Sequence, residues 1–151
     1  MKNRGFTLLE IMVAITVAAL LMAVSVPSAN RLYQSMSYRG AVGDVKNLLE
    51  NARFQAQLKG LPADVWVRTP TRELGLGEAR KIQLTEQVEV EVVSAAELMR
   101  DNDTAVIRFY PDGTSSGGRI SLRRGDTGGV ALEVGWLLGE VSQHPLHGDE
   151  R

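Results

Sequence analysis

The residue types that most often carry catalysis or bind metals are scarce in this sequence and poorly placed for either task. There is no cysteine, so disulfides and thiolate chemistry are excluded. The two histidines, His144 and His147, are three residues apart beside Pro and Gly. Two ligands hold a metal only with further partners, and residues 144–151 are predicted to be a disordered tail. We therefore expect no catalytic residue, no cofactor and no metal site, and no enzyme.

Two polar loops could bind an ion or a phosphate. Asp101-Asn102-Asp103 clusters oxygen atoms suited to calcium, but its spacing differs from that of the EF-hand loop. Asp112 to Gly118 is rich in glycine like a phosphate cradle, yet it lacks the lysine and the following helix of a P-loop. We interpret the first loop as an exposed turn and the second as a hairpin connection.

Glu10 is the most unusual charge, because it lies inside the apolar run Phe6–Val26. This run would form a helix of about 31 Å, close to the hydrocarbon thickness of a bilayer. Lys2 and Arg4 precede it, which favours a cytoplasmic N-terminus with the rest of the chain outside. A carboxylate near the bilayer centre costs roughly 2.5–3.5 kcal/mol, so Glu10 needs a partner. The alternative interpretation is a secretory signal with a loose cleavage site at Ala23-Val24-Ser25.

The segment Arg-Gly-Phe-Thr-Leu-Leu-Glu, residues 4–10, resembles the prepilin processing motif of type IV pilins and type II secretion pseudopilins. The resemblance implies that a leader, residues 1–5, is removed after Gly5 by a prepilin peptidase. Phe6 would then become the N-methylated first residue of the mature chain. Glu10 would pair with the N-terminal amine of a neighbouring subunit in a filament, which supplies the missing partner.

On this interpretation residues 6–27 remain on the mature protein as a transmembrane and assembly helix. Pro27 marks either a kink in this helix or the point where it leaves the membrane.

Beyond Pro27, apolar residues recur at spacings of three to five and predict an amphipathic helix that continues to Lys59. These positions are Leu32, Met36, Ala41, Val45, Leu48 or Leu49, Ala52 and Ala56. Gly60 and Pro62 predict its end, and Gly40 and Gly43 allow a bend.

After Pro62 the apolar period changes to two, which predicts antiparallel strands. The predicted strands are 65–67, 82–84, 88–92, 105–110, 120–122 and 130–138. Residues 69–80 are predicted to be a loop, and 94–103 could hold one helical turn. Glycine-rich turns join the last strands as a meander. Residues 28–143 are expected to form one head, and the predicted fold class is α+β. The resemblance to type IV pilins implies a long N-terminal helix packed on an antiparallel sheet.

Residues 107–120, IRFYPDGTSSGGRI, resemble a segment of the GspH/FimT family, which comprises the minor pseudopilin H of type II secretion and related minor type IV pilins. The resemblance implies a minor pseudopilin needed to export folded proteins across the outer membrane. It would be a single-pass inner-membrane protein with its head in the periplasm. Its partners would be other pseudopilins or pilins, the prepilin peptidase, the inner-membrane secretion platform and the exoprotein substrate.

Two alternatives stay open. One is a FimT-like minor type IV pilin for pilus assembly or DNA uptake, with Arg108, Arg119, Arg123 and Arg124 as a basic patch; the simpler interpretation of these arginines is a solvated sheet face. The C-terminal part after Leu138 is mainly acidic, and 17 Lys and Arg against 18 Asp and Glu give no global basic excess. The other is a periplasmic enzyme or binding protein tethered by an uncleaved anchor.

Overall fold

The computed structural model describes residues 7–78, 80–94, 103–125 and 128–146, with the helix backbone alone for 24–31. Within these residues one long helix precedes eight strands. The helix, α1, spans Leu8–Lys59. The strands are β1 Ala63–Arg68, β2 Glu73–Leu76, β3 Arg80–Gln83, β4 Glu89–Ser94, β5 Thr104–Phe109, β6 Gly118–Arg123, β7 Gly129–Val134 and β8 Val141–Leu146. The chain divides into two compact units, one ending at Ser37 and one beginning at Tyr38.

The α1 helix confirms the prediction that the apolar run and the amphipathic segment are both helical. It stays helical through Gly40 and Gly43 and ends at Lys59. Gly60 follows with φ +65°, the left-handed conformation that glycine adopts without steric cost at a helix end. Leu32 and Met36, two of the predicted apolar positions, belong to the first unit and are exposed there.

The strands of the second unit form two sheets rather than the one antiparallel sheet predicted, and the meander predicted for the last strands holds from β6 to β8. The first sheet has the order β3-β2-β1-β5 and the second β4-β6-β7-β8, and every pairing is antiparallel. The prediction of α+β with antiparallel strands is confirmed. The arrangement into two sheets was missed because a period of two identifies strands without specifying their partners.

The strand β2 lies inside the segment predicted to be a loop. Gly75 pairs with Trp66 across the first sheet, and a Cβ at Gly75 would overlap the Trp66 indole. The indole Nε1–H donates a 2.7 Å hydrogen bond to the carbonyl of Gly77. Glycine is therefore present because a large side chain lies over the backbone, and not because the chain turns there.

The strand β8 corrects the expectation that the tail begins at residue 144. His144 and Pro145 are part of β8, which pairs with β7 at the edge of the second sheet. Proline fits an edge strand because it lacks only the N–H that faces away from the sheet. Residues 147–151 lie outside the described residues, as does the predicted helical turn over most of 94–103.

The segment 111–118 is not a hairpin connection, because it joins the two sheets. β5 pairs with β1, whereas β6 pairs with β4 and β7. β7 also ends at Val134, earlier than the predicted 138. A hydrogen bond from the Gly135 N–H to the Glu140 carbonyl closes a turn there.

The core of the second unit lies between the last turns of α1 and both sheets. Fully buried side chains come from α1, from the first sheet and from the second; they include Leu48, Leu49, Val65, Leu74, Ile107, Phe109, Ile120, Leu122 and Leu132. Tyr38 fixes the start of this packing, since its hydroxyl donates a 2.8 Å hydrogen bond to the Leu122 carbonyl. Burial raises the pKa of the Tyr38 phenol.

Candidate functional site

The N-terminal turn of α1 holds the one predicted assembly residue that the structure describes, Glu10. Thr7 caps the helix: its Oγ1 accepts a 3.2 Å hydrogen bond from the Glu10 N–H, and its carbonyl accepts one from Ile11 at 3.3 Å. Threonine three residues before glutamate is the capping-box pattern. A carboxylate in the first turn also complements the positive end of the helix dipole.

The Glu10 side chain is exposed, and among the described residues it has no ion pair. The local helix therefore explains why glutamate is tolerated at this position, but it leaves the carboxylate oxygens free to meet another molecule. Gly5 and Phe6 lie outside the described residues. Cleavage after Gly5, methylation of Phe6 and pairing of Glu10 all stay predictions.

The first unit presents apolar side chains to its surroundings along the part of α1 that follows Glu10. The exposed ones are Leu8, Leu9, Ile11, Met12, Val13, Ile15, Val17, Leu20, Leu21 and Met22. Described side chains of this run stop at Ala23. Over the described residues, no helix is long and apolar enough to cross a membrane.

The loop that connects the two sheets, residues 110–117, is held by hydrogen bonds made within the protein. The Tyr110 N–H donates to the Thr114 carbonyl, and the Asp112 carboxylate accepts from the Thr114 hydroxyl at 2.7 Å and its N–H at 3.0 Å. These two bonds hold the pKa of Asp112 below its usual value. The N–H groups of Ser115 and Ser116 are bonded to the Trp136 and Arg108 carbonyls. A phosphate cradle needs such groups free, so this loop does not form one.

The four arginines of the predicted basic patch all have contacts within the protein. Arg108 makes a bidentate pair with Asp64 at 2.6 and 2.8 Å, and this hydrogen bonding raises the pKa of the guanidinium. Arg119 lies 3.3 Å from Glu133, and Arg123 lies 3.7 Å from Glu91. Arg124 lies over the Tyr38 ring, 5.7 Å from its centroid. The arrangement fits a solvated sheet face better than a surface that collects phosphates.

No metal site is formed by the described residues, which contain no group of three or more potential His, Asp or Glu ligands. His144 is exposed on β8, 3.1 Å from the Ser142 hydroxyl. His147, Asp101 and Asn102 lie outside the described residues. A calcium site at 101–103 stays untested.

Comparison with known proteins gives two sequence findings. Residues 1–26 match the model of the prokaryotic N-terminal methylation motif. Over 143 residues the chain is 29% identical to type II secretion system protein H of Xanthomonas campestris, covering 95% of this chain and 84% of that protein.

Solved structures show the same fold at low identity. The minor pseudopilin EpsH from the type 2 secretion system of Vibrio cholerae matches with a TM-score of 0.55 at 11% identity, over 76% of this chain and 99% of that one. The type IV minor pilin FimU of Pseudomonas aeruginosa matches with a TM-score of 0.58 at 14% identity, over 74% and 91%. These findings confirm the predicted resemblance to type IV pilin-like proteins. The similarity is to structural subunits rather than to enzymes.

Proposed function

We propose that this chain, which has the fold of type IV pilin-like proteins, is a minor pseudopilin of a type II secretion system. It would be a non-enzymatic filament subunit that serves the export of folded proteins across the outer membrane. The observation that carries this proposal is the similarity to type II secretion system protein H, because it extends over 95% of the chain and so includes both helix and head. The N-terminal methylation motif and the fold shared with a minor pseudopilin support it.

The mature chain is then anchored in the bacterial inner membrane by residues 6–27, with the chain from residue 28 onward, including both sheets, in the periplasm. The apolar run and the cations Lys2 and Arg4 before it support this orientation. Prepilin peptidase removes residues 1–5, and the methylated amine of Phe6 becomes the N-terminus.

In the filament, the α1 helices of neighbouring subunits pack through their exposed apolar side chains. The Glu10 carboxylate pairs with the N-terminal amine of an adjacent subunit. Among packed helices an unpaired carboxylate is strongly disfavoured, so this pair selects one axial register. The inner-membrane platform inserts the subunit, and the head contacts other pseudopilins or the exoprotein.

The Glu10 role is tested by crosslinking filament subunits in cells that carry Glu10→Gln. The neutral amide keeps the size of the side chain but loses the ion pair, so we expect at least a tenfold loss of crosslinks to neighbouring subunits. Glu86→Gln, an exposed substitution in the head, is the matched control and should leave them unchanged. Equal crosslinking by both variants would remove Glu10 from assembly.

The second candidate function is that of a minor type IV pilin, which the fold shared with FimU allows. Deletion of the gene, with export of folded proteins and DNA uptake both measured, separates the two. The proposal expects loss of export with normal uptake. Loss of uptake with intact export would overturn it in favour of a pilin that captures DNA.

A further inference from the structure

The turn after β7, residues Gly135–Gly139, presents three consecutive large apolar side chains to solvent. Trp136 is 69% exposed, Leu137 59% and Leu138 61%. Single exposed apolar residues are common on protein surfaces, but a contiguous group marks an interaction site. We call this segment the apolar turn. Trp136 and Leu138 continue the alternation of β7, so the sequence pattern predicts a strand here rather than a turn.

The backbone of the apolar turn is held at both ends. The Gly135 N–H donates to the Glu140 carbonyl at 2.9 Å, and the Gly139 N–H donates to the Gly135 carbonyl at the same distance. Ser115 adds two bonds from the connecting loop: its N–H donates to the Trp136 carbonyl at 2.9 Å, and its hydroxyl donates to the Gly135 carbonyl at 3.0 Å.

The base of the turn is also tightly packed. Gly139 has φ +59°, and a Cβ there would lie 2.6 Å from the Gly113 carbonyl oxygen and 3.5 Å from Arg53. Only glycine fits both this conformation and this contact. The three apolar side chains are therefore displayed on a fixed backbone, and little conformational entropy is lost when they are bound.

The charges around the apolar turn decide what kind of surface it fits. The sequence contains no Lys or Arg from Gly125 to Glu150. Two arginines come near, but Arg119 is paired with Glu133 at 3.3 Å and Arg53 is half-buried beneath Gly139. Glu140 is exposed, and the described residues offer it no ion pair. Of these described groups only Glu140 is both exposed and unpaired, so they offer anionic lipid or nucleic acid no free, exposed cation.

We propose that the apolar turn docks into an apolar depression with a basic rim on the head of another subunit of the same filament. Trp136 and Leu137 supply the buried contact, since aromatic residues dominate protein interfaces, and Glu140 meets the basic rim. This inference rests on the proposed function, but it concerns a head surface separate from the N-terminal helix that assembles the filament.

The test is co-purification of the full chain, in detergent, with the other pseudopilins of its system expressed in the same cells. We expect Trp136→Ser/Leu137→Ser to reduce the recovered pseudopilin tenfold or more, as for the central residues of an interface. Glu140→Lys should reduce it to a smaller degree. Leu61→Ser, a substitution of similar exposure two residues after the end of α1, is the matched control and should change recovery less than twofold.

Thermal unfolding of each variant establishes that the head is intact. If the unchanged chain recovers no pseudopilin, the proposed function fails and the inference fails with it. If the unchanged chain recovers them and the double variant does so equally, only the inference is overturned. The last measurement is flotation with phosphatidylglycerol vesicles of the chain held in neutral nanodiscs. If the chain binds these vesicles and the double variant does not, the apolar turn binds a lipid surface, and the proposal of a protein partner is overturned.

Discussion

The two units of this protein use apolar residues in opposite ways. Along α1 from Leu8 to Met22 every large apolar side chain is exposed. In the second unit most apolar residues of the helix are buried against the two sheets, although Phe54 and Leu58 stay exposed. The same helix thus carries a segment that needs other molecules to cover it and a segment whose cover is built into the chain. The first unit's side chains should matter for assembly, and the second unit's for folding.

The largest effect expected from this difference concerns matched leucines. Leu49 is fully buried and Leu20 is 65% exposed, both on α1. We expect Leu49→Ala to lower the free energy of unfolding by about 2–5 kcal/mol, because it leaves a cavity. Leu20→Ala should change it by less than about 0.5 kcal/mol. Chemical denaturation in detergent measures the free energy of unfolding of both variants. Comparable losses would contradict the difference between the two units.

Glycines offer a second matched pair. A Cβ at Gly75 would overlap the Trp66 indole, so Gly75→Ala should destabilise the head by about 1–3 kcal/mol. Gly43 lies within α1 with open space around its Cα. Gly43→Ala should stabilise the helix by up to about 1 kcal/mol, because alanine restricts the unfolded chain. Thermal unfolding shows whether each variant is more or less stable than the unchanged chain. A stabilising Gly75→Ala would contradict the packing described.

The contact between Tyr38 and Leu122 should contribute least. Tyr38→Phe removes a single hydrogen bond and should cost about 0.5–1.5 kcal/mol. The same substitution removes a phenol whose pKa is raised by burial, so the folded protein favours its neutral form. Stability from this group is fully present below the ordinary phenol pKa near 10, and it is lost as the pH rises through the raised pKa of the folded protein. If Tyr38→Phe leaves stability unchanged at pH 7, the hydrogen bond to Leu122 contributes no net stability, because water satisfies the hydroxyl equally well in the unfolded chain.

Sequence alone predicted those features whose causes are local. The helix to Lys59, the turn at Gly60 and most strands follow from periodicity and from residues with restricted backbone conformations. Pairing is non-local, so the division into two sheets and the role of 111–118 as the link between them were not predictable from a period of two. Gly75 and Pro145 were misleading for the same reason, since the indole over one and the free edge beside the other arise only from the tertiary fold.

The candidate functional residues also include some that the sequence predicts and some that it does not. The resemblance of residues 4–10 to the prepilin motif predicts Glu10 as an assembly residue, and the described structure adds the cap that Thr7 provides at this turn. The apolar turn has no such signature. Trp136 and Leu138 alternate like strand residues, and only the hydrogen bonds that close Gly135–Glu140 turn them outward.

The most direct test of the central claim is the mass of the mature N-terminal peptide, measured on the chain purified from bacteria that carry its secretion system. The account predicts a chain beginning at Phe6 with one added methyl group, and therefore a filament subunit that keeps its apolar helix. A chain that still begins at Met1, or one cut near Ser25, would contradict it.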